Sequence, residues 1–379
     1  MLKEWRQLSG FRGLYVFVSC CLLLHLVTIF RPDYSVSPGY FRCISDTVRT
    51  TEITKMGEAW DEAVTNNFPE SNEKITLIRD TAGKEDILEG YRGMHIVQLM
   101  EENWQLGGIA ARWQRAKYEK LQPSIDTLAE EDASLSVFAS TSTPRLMTKA
   151  QDLLKLLMLE GMILACLTAC FLTGNDRLCR TEGIICASEA GRDLWKVRSA
   201  VGILHLFCIM FLLYAVTAAA FLLRWDMSGM WEASVSTQFL GFLIGAENVP
   251  FITWAPMTVT GYFAAASALG MLMVLFIYCL CYGAGLAVHN SYALFLFFAA
   301  LFITNIALLT STEDNCQWLG YELLQWLPFS AWHVNTLWFS HMLGASILPW
   351  QETLEVLWLG IWSGCLLSVC FRIWKRRDL

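Results

Sequence analysis

The feature that most constrains this sequence is a set of six long, nearly uncharged apolar blocks, at about 13–30, 153–173, 200–223, 257–282, 291–311 and 354–373. A bilayer core of about 30 Å takes roughly 17–25 helical residues to cross, and each block has that length. Lipid offers the backbone no hydrogen bonds, so each block must satisfy its own N–H and C=O groups as an α-helix. Barrel strands are excluded, because they run about 9–11 residues and alternate in polarity. Composition agrees: 55% of the 379 residues are hydrophobic and 17% are charged, far too apolar for a disordered chain. The 13 cysteines are too few for a disulfide scaffold of this length. The sequence therefore predicts an all-α polytopic membrane protein with six transmembrane helices.

The charges are unevenly spread. Residues 31–150 hold 14 of the 28 Lys and Arg and 19 of the 35 Asp and Glu, so this segment reads as a soluble domain between the first and second spans. Apolar residues at helical spacing over Thr47–Phe68, Ile87–Trp104 and Ile109–Leu128 predict a mainly helical domain. Pro69–Asp86, rich in Asn, Asp, Gly and Ser, reads as a connecting loop. Ser140–Pro144 is a second break, with a helix restarting near Arg145 and running into span two. A strand around Ser134–Phe138 is left open by the pattern. The chain thus divides into 1–30 (a short N-terminal segment and the first span), the inserted domain 31–150, and a five-span membrane domain over 151–379.

Orientation follows the basic residues of the short segments. Lys3, Arg6 and Arg12 precede span one; Arg177, Arg180, Arg192, Lys196 and Arg198 fall in the loop 174–199; Arg372, Lys375, Arg376 and Arg377 end the chain. The connection 224–256 has only Arg224, and 312–353 has no Lys or Arg. These biases place both termini in the cytosol and the inserted domain outside a cell membrane. Span one is followed by Arg31-Pro32-Asp33 without a small-x-small cleavage site, so it reads as a retained anchor. Phe17-Val18-Ser19-Cys20 imitates a lipoprotein cleavage site, but the apolar run continues unbroken past it to Phe30. Cys43 and Cys316 both fall outside, which leaves a bridge between them open. The other cysteines lie in spans or on the cytosolic side and read as reduced apolar filler.

Enzyme signatures are missing. The sequence has no H-E-x-x-H, G-x-S-x-G, paired C-x-x-C or phosphate-binding G-x-x-x-x-G-K-[ST]. His95 and Cys43, the lone histidine and cysteine of the inserted domain, have no partners at metal-ligand spacing. A formal net charge of -7 argues against a nucleic-acid partner.

The most informative stretch is the loop after span two, with Ile184-Ile185-Cys186-Ala187-Ser188-Glu189-Ala190-Gly191-Arg192, then Leu194, Trp195, Lys196 and Arg198. It resembles the permease subunits of ABC transporters of the ABC-2 type, especially those of Gram-positive bacteria. In this loop they carry two aliphatics, any residue, Ala or Ser, Thr, two variable residues, Gly-Arg, and a Lys near the next span. Ile184, Ile185, Ala187, Ser188, Gly191 and Arg192 match that pattern, with Ser188 in place of Thr and Arg198 near the position of the Lys. Glu182-Gly183 abuts the aliphatic pair directly, whereas the family places its Glu and Gly a few residues earlier. The motif covers about 20 residues; the layout of one span, an outside domain and five further spans also resembles the family.

The resemblance implies that this loop is a coupling helix seated in a cleft of a separate cytosolic ATPase, which would hold the ATP and Mg. It implies a second permease chain, identical or related, and no cofactor on this chain itself. The substrate expected from walls of Phe, Leu, Trp and Met is hydrophobic or amphipathic: a lipid, peptide or drug. Read from residues alone, the same loop is a short amphipathic helix suited either to docking on a partner or to lying on lipid headgroups. A sensor or assembly scaffold with a ligand-binding outer domain, and an intramembrane enzyme using Glu160 or a histidine, are the competing classes.

Polar residues inside spans mark candidate functional positions. Glu160 lies seven residues past Leu153, roughly 10 Å deep at 1.5 Å per residue. It needs a proton or a partner such as Lys155, unless the span starts later and the carboxyl reaches water. His25, His205 and Asn305 read as interhelical hydrogen-bonders, and Glu160, His205 and Asn305 together are a candidate polar pathway. The outside loops are rich in Trp, and Leu323–Trp332 and Val334–Met342 are apolar enough to dip into the outer leaflet as a shelf. An aromatic belt explains the same residues. Gly241–Gly245 and Ala264–Gly270 offer small residues for close helix contact.

Overall fold

A computed structural model describes residues 2–31, 38–53, 58–67, 71–81, 90–130, 143–179, 181–187, 189–226, 231–237, 240–244, 247–288, 290–314, 318–341 and 348–375. In chain order the helices are α1 (Leu2–Ser9), α2 (Arg12–Phe30), α3 (Pro38–Thr51), α4 (Glu58–Asn67), α5 (Asn72–Thr81), α6 (Met94–Trp104), α7 (Gly108–Glu130), α8 (Thr143–Leu178), α9 (Glu182–Ala187) and α10 (Glu189–Arg224). A hairpin of β1 (Leu240–Ile244) and β2 (Glu247–Pro250) follows, then α11 (Val259–Ala287), α12 (Ser291–Asp314), α13 (Trp318–Gln325), α14 (Ser330–His333) and α15 (Gln351–Lys375). Six helices are long and apolar enough to cross a membrane: α2, α8, α10, α11, α12 and α15. The chain is an all-α polytopic membrane protein with one short hairpin.

Helix α11 is the column of the bundle, packed against α8 and α15 and touching α10 and α12. It starts where the Thr258 hydroxyl accepts a hydrogen bond from the Gly261 amide at 3.1 Å, a cap typically worth about 1 kcal/mol. It ends at Val288, whose backbone is extended. The Asn290 carboxamide then accepts from the amides of Tyr292 and Ala293 and starts α12. Between apolar helices in lipid, association rests on close van der Waals packing, which favours small residues at crossings. A Cβ on Gly283 would stand 3.2 Å from the Leu367 backbone of α15. The expected small-residue contact at Gly270 exists within the chain, against Met158 of α8.

At the end of the bundle carrying both α1 and Lys375, hereafter the terminal end, α1 folds back on α10. Buried Arg198 pairs there with Glu4 at 3.4 Å. The Tyr282 and Tyr278 hydroxyls of α11 donate to the Trp195 and Ser199 carbonyls at 2.8 and 3.3 Å. Trp195 meets Trp374 of α15 edge-to-face at 4.8 Å.

The other, domain end carries α3–α7 as two units. Helices α3–α5 bury Tyr40, Phe41, Ile44, Trp60, Val64 and Leu77 in continuity with the bundle core. Helices α6 and α7 pack on each other, with Ile96, Val97, Tyr118 and Leu121 against Val249 of β2. Between α12 and α15 lies the shelf of short helices. Lys155 donates to the His333 carbonyl at 2.8 Å and Gln151 to the Thr336 carbonyl at 2.9 Å. The Trp332 indole in turn donates to the Lys155 carbonyl at 2.9 Å.

Four local expectations change. The polar segment 69–86 contains α5, whose apolar Leu77 is buried and whose Ser71 hydroxyl caps the Lys74 amide at 3.2 Å. The run Thr47–Phe68 is divided between α3 and α4. Gly241–Ile244 is strand rather than helix contact, and the register shift between Leu240 and Leu243 falls on the glycine, a common place for a bulge. The charged residues 189–198 are not a separate loop helix but the first three turns of the third span. The candidate strand Ser134–Phe138, and Cys316 with its suggested bridge, lie outside the described residues.

The Gly283 crossing gives a stability test. Gly283→Val should cost about 1–3 kcal/mol through overpacking and lower the Tm of the detergent-solubilised protein. Gly364→Val, where an added Cβ meets nothing within 4 Å, should leave it near the parent value.

Candidate functional site: buried polar groups in the bundle

Three spans bring polar side chains together near the domain end. His25 on α2, Glu160 on α8 and Thr217 on α10 are all buried. His25 Nε2 lies 3.0 Å from Glu160 Oε2, and its Nδ1 lies 2.7 Å from the Thr217 hydroxyl. Cys21, one turn before His25, is hydrogen-bonded to the same carboxyl. His25 lies five residues before Phe30 at the end of α2, about 8 Å along the axis. Water is excluded here, and an unpaired carboxyl or imidazole would bear its whole desolvation cost. Here each group has the other as its partner, 3.0 Å away.

The sequence pointed to Glu160 but named Lys155 as its partner. Lys155 instead reaches the shelf carbonyl described above, while His25 arrives from another span. The remaining candidates are dispersed. His205 is buried beside α1 and α2, with Nε2 3.3 Å from the Tyr15 hydroxyl and the Trp5 ring edge-on at 5.1 Å. Asn305 accepts from the Ser330 hydroxyl at 3.2 Å and ties α12 to the shelf. Glu160, His205 and Asn305 therefore occupy three places and do not touch one another.

In the motif of the loop, Glu182 to Ala187 form α9, and Gly191, Arg192, Leu194, Trp195, Lys196 and Arg198 lie on α10. Ser188 lies outside the described residues. Ile184 is 75% exposed, and Gly183 and Ala187 are exposed too. Trp195 and Arg198 are buried at the terminal end.

A second polar cluster, unread in the sequence, lies under α7 at the domain end. Gln351 donates to Gln325 at 2.8 Å and to Glu355 at 3.1 Å, all buried, with Glu352 beside them and Glu322 hydrogen-bonded to the same glutamine. Buried Lys117 of α7 donates to the His341 carbonyl at 3.1 Å. Burial lowers the Lys117 ammonium to about 7, with the Glu322 charge opposing the shift. Burial likewise brings His341 down to about 3, aided by the Lys117 charge and opposed by the Ile252 carbonyl. Glu322 moves upward through its own burial, against the pull of Gln351 and Lys117. The missed signal was the pairing of acidic and amide residues around 322–355 in a stretch without Lys or Arg; the neutralising lysine comes from a distant helix.

Between α8, α10 and α11 lies an apolar cleft of about 310 Å³, lined by residues including Leu154, Leu157, Tyr214, Phe221, Phe263 and Ala264. Among the described residues no three His, Cys, Asp or Glu side chains gather as metal ligands.

These features define a helical membrane protein with an intramembrane His–Glu pair and an apolar cleft. Comparison with protein-family models, curated proteins and solved structures finds no match to the chain.

Two predictions follow from the paired groups. Removing one member of a buried pair costs about 3–5 kcal/mol because the other is stranded, whereas replacing both with apolar residues costs much less. His25→Leu and Glu160→Leu should each lower Tm in detergent, and the double variant should lie closer to the parent than either single one. At Lys117 the unfolded side chain, near 10.5, holds a proton that the folded one has lost at lower pH. Its destabilising contribution is thus full below pH 7 and fades between about 7 and 10.5, so stability rises with pH there. Lys117→Met should raise Tm at pH 6.5, and the gain should shrink by pH 10 in the same melting assay.

Proposed function

We propose that the chain is the transmembrane permease subunit of an ATP-driven exporter that moves a hydrophobic or amphipathic substrate across the cell membrane. A separate cytosolic ATPase supplies the energy, and a second permease chain completes the pathway. The observation that carries this reading is the continuity of α10. Its 36 residues run unbroken from Glu189 through the Gly191-Arg192 motif to Arg224, about 54 Å at 1.5 Å per residue. At the terminal end it is fixed to α1, α11 and α15 through Arg198, Trp195 and Ser199. Toward the domain end it presents Thr217 to the His25–Glu160 pair and lines the cleft.

A push on α9, whose Ile184 stands exposed for a partner, would move α10 as one body. Along α10 itself that motion would reach the cleft and the polar pair within one continuous helix. The sequence resemblance supplies the kind of partner, and the rigid helix supplies a route for the force.

Co-expression with ABC ATPases of the same genome, followed by affinity purification, tests the reading. The expected result is recovery of one ATPase, released when Glu182–Ala187 is replaced by a Gly/Ser segment of equal length while Tm in detergent is kept. Recovery of no ATPase, together with ligand binding by the α3–α7 units, would instead establish the sensor reading.

A further inference from the structure

The apolar cleft has a charged mouth. A second cavity at the domain end is lined by Arg42 of α3, by Arg224, Trp225 and Asp226 at the end of α10, and by Leu222 and Trp231. Leu222 and Trp231 also line the apolar cleft, so the two cavities adjoin and share one wall. The apolar part follows α10 from Tyr214 to Leu222, about 12 Å at 1.5 Å per residue. That is close to the depth of one leaflet, half of a core of about 30 Å.

The mouth is built from cations. The Arg224 guanidinium lies 5.4 Å from the Trp225 ring centroid, and Lys149 Nζ lies 5.5 Å from the same ring. Arg224 Nε is buried without a hydrogen-bond partner. Arg224 is also the one basic residue of the whole connection 224–256, so a cation has been kept here where the segment otherwise has none. Arg42 and Arg224 line the mouth together with Asp226, and Lys149 stands against the Trp225 ring. The guanidinium side chains of Arg42 and Arg224 line this mouth, and phosphate oxygens suit the planar fork of arginine.

We infer that this recess binds one anionic glycerophospholipid from the surrounding leaflet, with its phosphate at Arg42 and Arg224 and one acyl chain between α8, α10 and α11. The inference concerns binding alone and stands apart from the transport reading. Trp225, stacked under both cations, orients them toward the headgroup, and Trp231 closes the side of the recess where chain and headgroup join.

The test uses the full-length protein in detergent micelles with a phosphatidylglycerol probe bearing a diazirine in its acyl chain. Photolabelled peptides should come from 150–157, 214–222 and 260–267, and labelling should be competed by unmodified phosphatidylglycerol far better than by phosphatidylcholine. Charge-assisted hydrogen bonds to phosphate predict that Arg42→Gln with Arg224→Gln weakens binding by about tenfold or more. Ala264→Trp, which fills the cleft and leaves the mouth intact, should abolish labelling of those peptides. Labelling spread over all lipid-facing spans, or equal competition by phosphatidylcholine, would overturn the proposal. Because the labelling map is read on the parent protein, it decides the question even where a variant fails to fold.

Discussion

Close backbone approach along α11 is the constraint on which the bundle depends. Lipid tails are as apolar as leucine, so the spans gain little from merely hiding apolar surface and must interlock to hold together. Gly283 lets the α15 backbone approach near the terminal end, and Gly270 receives Met158 of α8 midway. Between them Tyr278 and Tyr282, stacked 5.7 Å apart, turn their hydroxyls onto α10. The column therefore combines dispersion on two sides with hydrogen bonds on a third. Those bonds satisfy phenolic hydroxyls that would otherwise be stranded in an apolar interior.

The buried polar groups divide into two kinds. His25, Glu160 and Thr217 link three spans within the apolar interior and hold α2, α8 and α10 in one relative register. The Gln325–Gln351–Glu355 group and Lys117 lie at the domain end, where they join the last span, the shelf and α7. His25 and Glu160 pair across two spans, and the Lys117 charge of α7 acts on Glu322 of α13.

Much of the architecture is legible in the sequence because the bilayer imposes it. Length and apolarity mark six spans without any tertiary information, and Arg145 already announces a helix running into the second. Where solvent and lipid impose less, reading fails for identifiable reasons. The polarity of 69–86 conceals α5, since a ten-residue helix needs only a narrow buried stripe such as Leu77. Charges at 189–198 look like a loop, yet Trp195 and Arg198 are buried because α1 and α15 cover them. The five apolar residues of β1 are too short for periodicity to separate strand from helix. Glu160 was found from its position in a span; its partner was not, because Lys155 is near only in sequence.

Two of the ties that hold the shelf to α8 use main-chain acceptors: Lys155 takes the carbonyl of His333, and Gln151 that of Thr336. A carbonyl is present whatever side chain its residue carries. The side chains at 333 and 336 can therefore change over evolutionary time without unfastening the shelf, whereas Gln151 and Lys155 cannot. The surface that such a shelf presents is thus free to diversify on a fixed mount, so that chains sharing this bundle can meet different molecules with the same frame.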